Sequence, residues 1–184
     1  VALTTGNDSK IENLVVDEKY IQQCNAGMDQ GISYAAGAPL LNYLTLGAPV
    51  GDMYLFAGHS GTGKSSFIFE NMVLPFAEGG TGVAIISNEM QSKAYKNMLL
   101  VHILTKELDY WKKLSLGHFN EEELEMLRKA AAITKEKYSN IRFVKMFEND
   151  TSKVLQYIKR LARSGTKAII YDTMKSDDGI DDKM

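Results

Sequence analysis

The eight residues from Gly58 to Ser65, GHSGTGKS, constrain this chain more than any other stretch. They satisfy G-x-x-x-x-G-K-[ST], a pattern that carries meaning only between a buried strand and a helix. Residues 53–57, MYLFA, form an apolar run ended by glycine and read as that strand. Beyond the loop, Phe69, Met72, Val73 and Phe76 recur at i, i+3, i+4 and i+7, one face of a helix, with Pro75 and Gly79-Gly80 expected to close it. In that setting the glycines let successive backbone N–H groups converge on phosphate oxygens at the positive end of the helix.

The expected ligand is therefore ATP, with Mg²⁺ as cofactor. Its candidate binding residues are Gly58, His59, Ser60, Gly61, Thr62, Gly63, Lys64, Ser65 and Ser66. Lys64 would reach the β and γ phosphates and assist catalysis there, and the Ser65 hydroxyl would bind the metal. His59 stands at a variable position of the loop and reads as an exposed loop residue.

The rest of the chain supplies strands and helices in alternation. GVAIIS (82–87), IRFVKMF (141–147) and KAIIYD (167–172) read as buried strands. Between them lie a mainly apolar helical stretch at about 91–108, a helix opened by an Asn120/Glu123 capping box, and a helix capped by Asp150 or Thr151. In the last, Val154, Ile158, Leu161 and Ala162 share a face, and Lys159, Arg160 and Arg163 lie in the final turn before Gly165. Alternation of this kind implies an α/β fold, a mostly parallel sheet with helices on both faces. Residues 1–46, with a short helix at about 17–28 and the GISYAAGAP stretch, read as an N-terminal arm and linker; 47–184 form the nucleotide-binding core.

Composition excludes several other classes. With 45% apolar and 24% charged residues the chain is neither disordered nor membranous. Its longest apolar run, 98–104, is broken by His102 and falls far short of the roughly 20 residues of a membrane span. The first residues lack a signal peptide's basic and apolar regions, and the lone Cys24 forms no internal disulfide, so a cytoplasmic location is expected. A net charge of −2 gives no global field that would recruit nucleic acid.

His59, His102 and His118 do not fall in metal-ligand spacing. Asp177, Asp178, Asp181 and Asp182 lack the spacing and closing glutamate of a Ca²⁺ loop and read as solvated chain. Tyr110 and Trp111, beside Lys112 and Lys113, read as packing rather than as a base-stacking platform.

A phosphate loop binds nucleotide, but hydrolysis needs acids. Asp172, at the end of the apolar run AIIY, stands where a second metal-side carboxylate belongs. The next residue is Thr173, where many such ATPases carry their catalytic glutamate. Glu89 follows the strand after the loop helix, in Ser87-Asn88-Glu89-Met90, and a carboxylate there is placed to activate water. Spacing alone leaves open a second reading, a glutamate that only favours a helix N-terminus.

The run SNEM resembles the Ser-x-Glu-Met signature of DnaB-type hexameric replicative helicases, phage members included, in which the glutamate is the catalytic base. GAPLLNYLTLGAPVGDMYLFAG resembles their entry segment, with Gly51-Asp52 starting the loop strand. The order of loop, glutamate strand, helical insert, third strand, Asp150-Thr151 turn, helix and Asp172 agrees over about 31–173.

This resemblance implies a RecA-like P-loop NTPase core in which Lys64 and Ser65 hold phosphate and Mg²⁺, Glu89 activates water and Asp172 supports the metal. It implies a homo-hexamer whose N-terminal arm packs on a neighbouring subunit, single-stranded DNA in the central channel, duplex unwinding in DNA replication, and a primase or loader as further partner. RecA-like cores continue with another strand between the loop strand and the Asp172 strand, so the chain reads as the front part of such a domain, truncated after that strand and inactive by itself. The loop GHSGTGKSS is also similar to those of KaiC-like and RadA-like proteins, which implies an alternative, a regulatory or recombination ATPase that does not unwind. A small-molecule kinase needs a lid with several arginines; the four here, Arg128, Arg142, Arg160 and Arg163, are not clustered in one loop.

Overall fold

The computed structural model describes residues 16–25, 31–104, 109–147 and 150–173. Two short helices, α1 (Glu18–Asn25) and α2 (Pro39–Thr45), precede the loop. After it come α3 (Lys64–Ile68), a π-helical turn (Phe69–Val73) and α4 (Leu74–Glu78), then β1 (Val83–Ser87), α5 (Ser92–Leu104), α6 (Asp109–Leu116), α7 (Glu121–Lys137), β2 (Ile141–Lys145), α8 (Thr151–Arg163) and β3 (Ala168–Asp172). The strands form one parallel sheet in the order β2-β1-β3, with Val83 level with Ile141 and Ala168, and Ser87 level with Lys145 and Asp172.

Side-chain alternation divides β1 between two cores. Val83 and Ile85 join Phe69, Met72, Val73, Leu74, Phe76, Tyr95 and Met98 on one face of the sheet. Ala84 and Ile86 join Met146, Val154 and Leu161, the last two from α8, on the other. Helices therefore cover both faces, and all five residues of β1 are buried. At about 25 cal/mol per Å² of apolar surface, a strand buried on both sides is the most stabilising element such a sheet can have. The caps expected from sequence are present: Asn120 and Glu123 make a reciprocal capping box, and the Asp150 side chain accepts from the Ser152 and Lys153 N–H groups.

The helix after the loop does not stop at Pro75. Proline has no N–H, so the Asn71 carbonyl four residues earlier lacks its usual helical donor. That carbonyl accepts instead from the Ala35 N–H at 3.0 Å, and the helix widens to π geometry over Phe69–Val73. The four expected face residues, Phe69, Met72, Val73 and Phe76, are all buried, and the wide turn brings Leu74 and Ala77 in as well. The same contact ties down residues 31–48. Ile32 and Ala48 form an isolated antiparallel bridge, the Asn42 side chain pairs with both backbone groups of Tyr34, and the Tyr34 ring packs on Phe76 with centroids 5.7 Å apart.

One expectation fails. Residues 53–57 form no strand, and Met53 and Leu55 are 93% and 78% exposed. An apolar run becomes a strand only where an edge offers backbone partners. β3 pairs with β1 alone, and among the described residues no strand lies between β3 and this segment. The last residues of the 17–28 and 91–108 helices, the Asp177–Asp182 carboxylates and the side chains of Cys24, Tyr110 and Trp111 lie outside what the structure describes. Among the described residues no helix is long and apolar enough to cross a membrane.

Candidate functional site

The phosphate loop has the backbone its glycines allow. Gly61 and Gly63 take φ of +78° and +81°, a region closed to most side chains, and Gly63 caps α3 in the left-handed conformation. A Cβ on Gly58 would stand 3.3 Å from Thr62 Oγ1, so that glycine gives the loop room to curl. The Thr62 hydroxyl donates to the His59 carbonyl at 2.8 Å. Lys64 Nζ reaches back across the loop to the Gly58 and His59 carbonyls, each at 2.7 Å. Ser60 and Ser66 are exposed, as is His59, whose carbonyl rather than its ring takes part in these bonds.

The acidic side is organised by the sheet. Because Ser87 and Asp172 stand level on adjacent parallel strands, the turn after β1 and the end of β3 emerge side by side. Ser87 is fully buried, and its hydroxyl accepts the Met90 N–H at 2.9 Å, closing the Asn88-Glu89 turn. From β2, Lys145 Nζ donates to the Asn88 and Met90 carbonyls at 2.9 and 3.3 Å. From β3, the Asn88 side chain takes both backbone groups of Thr173, accepting its N–H and donating to its C=O, each at 2.9 Å. Bonds of this kind contribute about 1 kcal/mol each, so SNEM is a fixed turn.

Each expected acid has a defined partner there. Asp172 is 8% exposed, and its Oδ2 accepts from the Tyr95 hydroxyl at 2.5 Å. Burial, and then the bond to Asp172, push the Tyr95 phenol well above its ordinary range, so it stays the donor. Its ring is held between Phe69 and Phe143. Glu89 is exposed, and its Oε2 accepts from the Thr173 hydroxyl at 2.7 Å.

Ser65 and Asp172 face one cavity, walled by Ile68, Phe69, Val73, Ile85, Tyr95 and Ile170. Loop hydroxyl and strand carboxylate, distant in sequence, are thus brought together, and Thr173 links Asp172 to Glu89. Two hard oxygen donors at the mouth of a phosphate loop suit Mg²⁺. Sequence reasoning did not find Tyr95 or the clamp on Thr173. Tyr95 lies on an apolar helix with nothing local to mark it, and Asn88 meets Thr173 only through the register of β1 and β3.

A search of curated proteins finds no match. Among solved structures, the ATPase domain of a DnaB-like phage helicase superposes with a TM-score of 0.68 at 17% identity over 90% of this chain, a likeness of fold. The chain spans 58% of the length of that chain. The model of the DnaB-like helicase C-terminal domain matches residues 33–177, from just before Tyr34 through SNEM and Asp172. The chain belongs to the DnaB-like helicase C-terminal domain family.

Proposed function

We propose that this chain is the nucleotide-hydrolysing part of a DnaB-like replicative helicase, in which ATP hydrolysis drives movement along single-stranded DNA and separation of the duplex. The observation that carries the reading is the side-by-side exit of β1 and β3, which sets the Glu89 turn against Asp172 while Asp172 shares a cavity with Ser65.

The loop from Gly58 to Ser66 would cradle the phosphates through its N–H groups, and Lys64 would exchange its two loop carbonyls for β and γ phosphate oxygens. Ser65 and Asp172 would hold Mg²⁺, which when bound neutralises charge on the phosphates. Glu89 would accept a hydrogen bond from the attacking water and take its proton as the bond to the γ phosphate forms. Tyr95 keeps Asp172 ionised and oriented by donating to one of its oxygens. As in other DnaB-like helicases, the working form would be a hexameric ring with sites between subunits. Residues 1–46 would serve as an arm against a neighbour, and a primase or loader would be a further partner.

The test is DNA-stimulated ATP turnover together with strand displacement by the full-length protein. Both are expected. Turnover that ignores DNA and displaces no strand would favour the regulatory reading suggested by the GHSGTGKSS loop.

A further inference from the structure

Thr173 stands where many related ATPases place a carboxylate, and this geometry gives it a different task. Its hydroxyl carries one proton and has two acceptors in reach, Glu89 Oε2 at 2.7 Å and Asp172 Oδ1 at 3.4 Å. Only the first is a hydrogen bond of normal length, so the proton goes to Glu89. The backbone behind that hydroxyl is held as firmly as a sheet residue, because the Asn88 side chain substitutes for a neighbouring strand on both its N–H and its C=O. Asn88 is in turn fixed through its own backbone, its N–H on the Asp172 carbonyl at 3.1 Å and its carbonyl on Lys145 Nζ.

The result is a closed circuit: Asn88 fixes Thr173, and Thr173 fixes the side chain next to Asn88. Glu89 is exposed, and an exposed glutamate has several rotamers open to it. We propose that Thr173 is a positioning residue for Glu89. Its hydroxyl engages Oε2, presents Oε1 to the attacking water, and depends on the Asn88 side chain for its own alignment. The proposal rests on Glu89 being the base.

The pair calls for single-turnover hydrolysis of labelled ATP by the full-length protein on single-stranded DNA, which reads slow rates, with ATP affinity measured separately. Thr173→Val removes the hydroxyl at constant shape and is expected to slow hydrolysis roughly ten- to a hundredfold with ATP affinity unchanged. Thr173→Ser should restore the rate to within about twofold. Asn88→Ala should slow hydrolysis in the same sense, which keeps the proposal testable if the valine variant folds poorly.

In a Glu89→Gln background, where the base is already gone, Thr173→Val should change nothing further. An equal loss in both backgrounds, an undiminished or faster rate in Thr173→Val, or failure of Thr173→Ser to rescue would overturn the proposal while leaving Glu89 as base. Full turnover by Glu89→Gln alone would remove the base, and the positioning role with it.

Discussion

The two sides of this site are built by different means. On the acidic side, Ser87, Asn88, Asp172 and Thr173 hang from the ends of paired strands and are joined by hydrogen bonds between residues more than 80 positions apart in sequence. On the phosphate side, loop and lysine bond mainly to themselves. Lys64 and Thr62 reach carbonyls six or fewer residues away, and the segment leading in, residues 53–57, pairs with no strand. The acidic side therefore inherits its geometry from the core, whereas the phosphate side takes its geometry from glycine φ angles and local bonds. One side cannot be perturbed without straining the whole protein, and the other can change its contacts to admit phosphate.

Removing the one charged side chain that spans the loop tests the phosphate side most severely. Lys64→Ala should abolish detectable ATP binding, read by equilibrium binding, while the unfolding midpoint moves little, because the ammonium bonds only to loop carbonyls. Ile85→Ala, in the middle of β1 where the side chain is 1% exposed, should destabilise the protein by about 2 to 5 kcal/mol in denaturant unfolding.

Tyr95→Phe should cost less, about 1 to 3 kcal/mol, by leaving a buried oxygen of Asp172 unpaired. It also changes the pH dependence. The folded phenol keeps its proton above pH 10, where the unfolded chain gives it up. Stability from this group is thus complete below pH 10 and falls as pH rises above it, so Tyr95→Phe should flatten the alkaline limb. Smallest should be Leu55→Ala. At 78% exposure on the unpaired segment of this chain, it should shift stability by less than about 0.5 kcal/mol, and a loss comparable to that of Ile85→Ala would mean the two sides are not built differently.

The same division governs what could be read from sequence. The strands at 82–87, 141–147 and 167–172 were legible because apolar runs bounded by turns encode burial, and they fall within two residues of β1, β2 and β3. The Asn120 and Asp150 caps were legible because capping is a bond between near neighbours. MYLFA has the same texture as those strands but lacks an edge to pair with, a property of the sheet and not of the segment. The π-helical turn depends on the Ala35 N–H meeting the orphaned Asn71 carbonyl, a contact between segments far apart in sequence. For the site, Gly58 to Ser65 was a local pattern and therefore visible. The partner of Asp172 on Tyr95, and the clamp between Asn88 and Thr173, depend on which rows of the sheet lie level, and no local pattern carries that.

The hydrogen bonds of the acidic side converge on Glu89 as the group that activates water. The most direct measurement is ATP turnover by the full-length Glu89→Gln protein on single-stranded DNA, with ATP binding measured on the same sample. Unchanged binding with turnover lowered by about a hundredfold or more is the expected result. Turnover within a few-fold of the unsubstituted protein would contradict the account and place the base elsewhere.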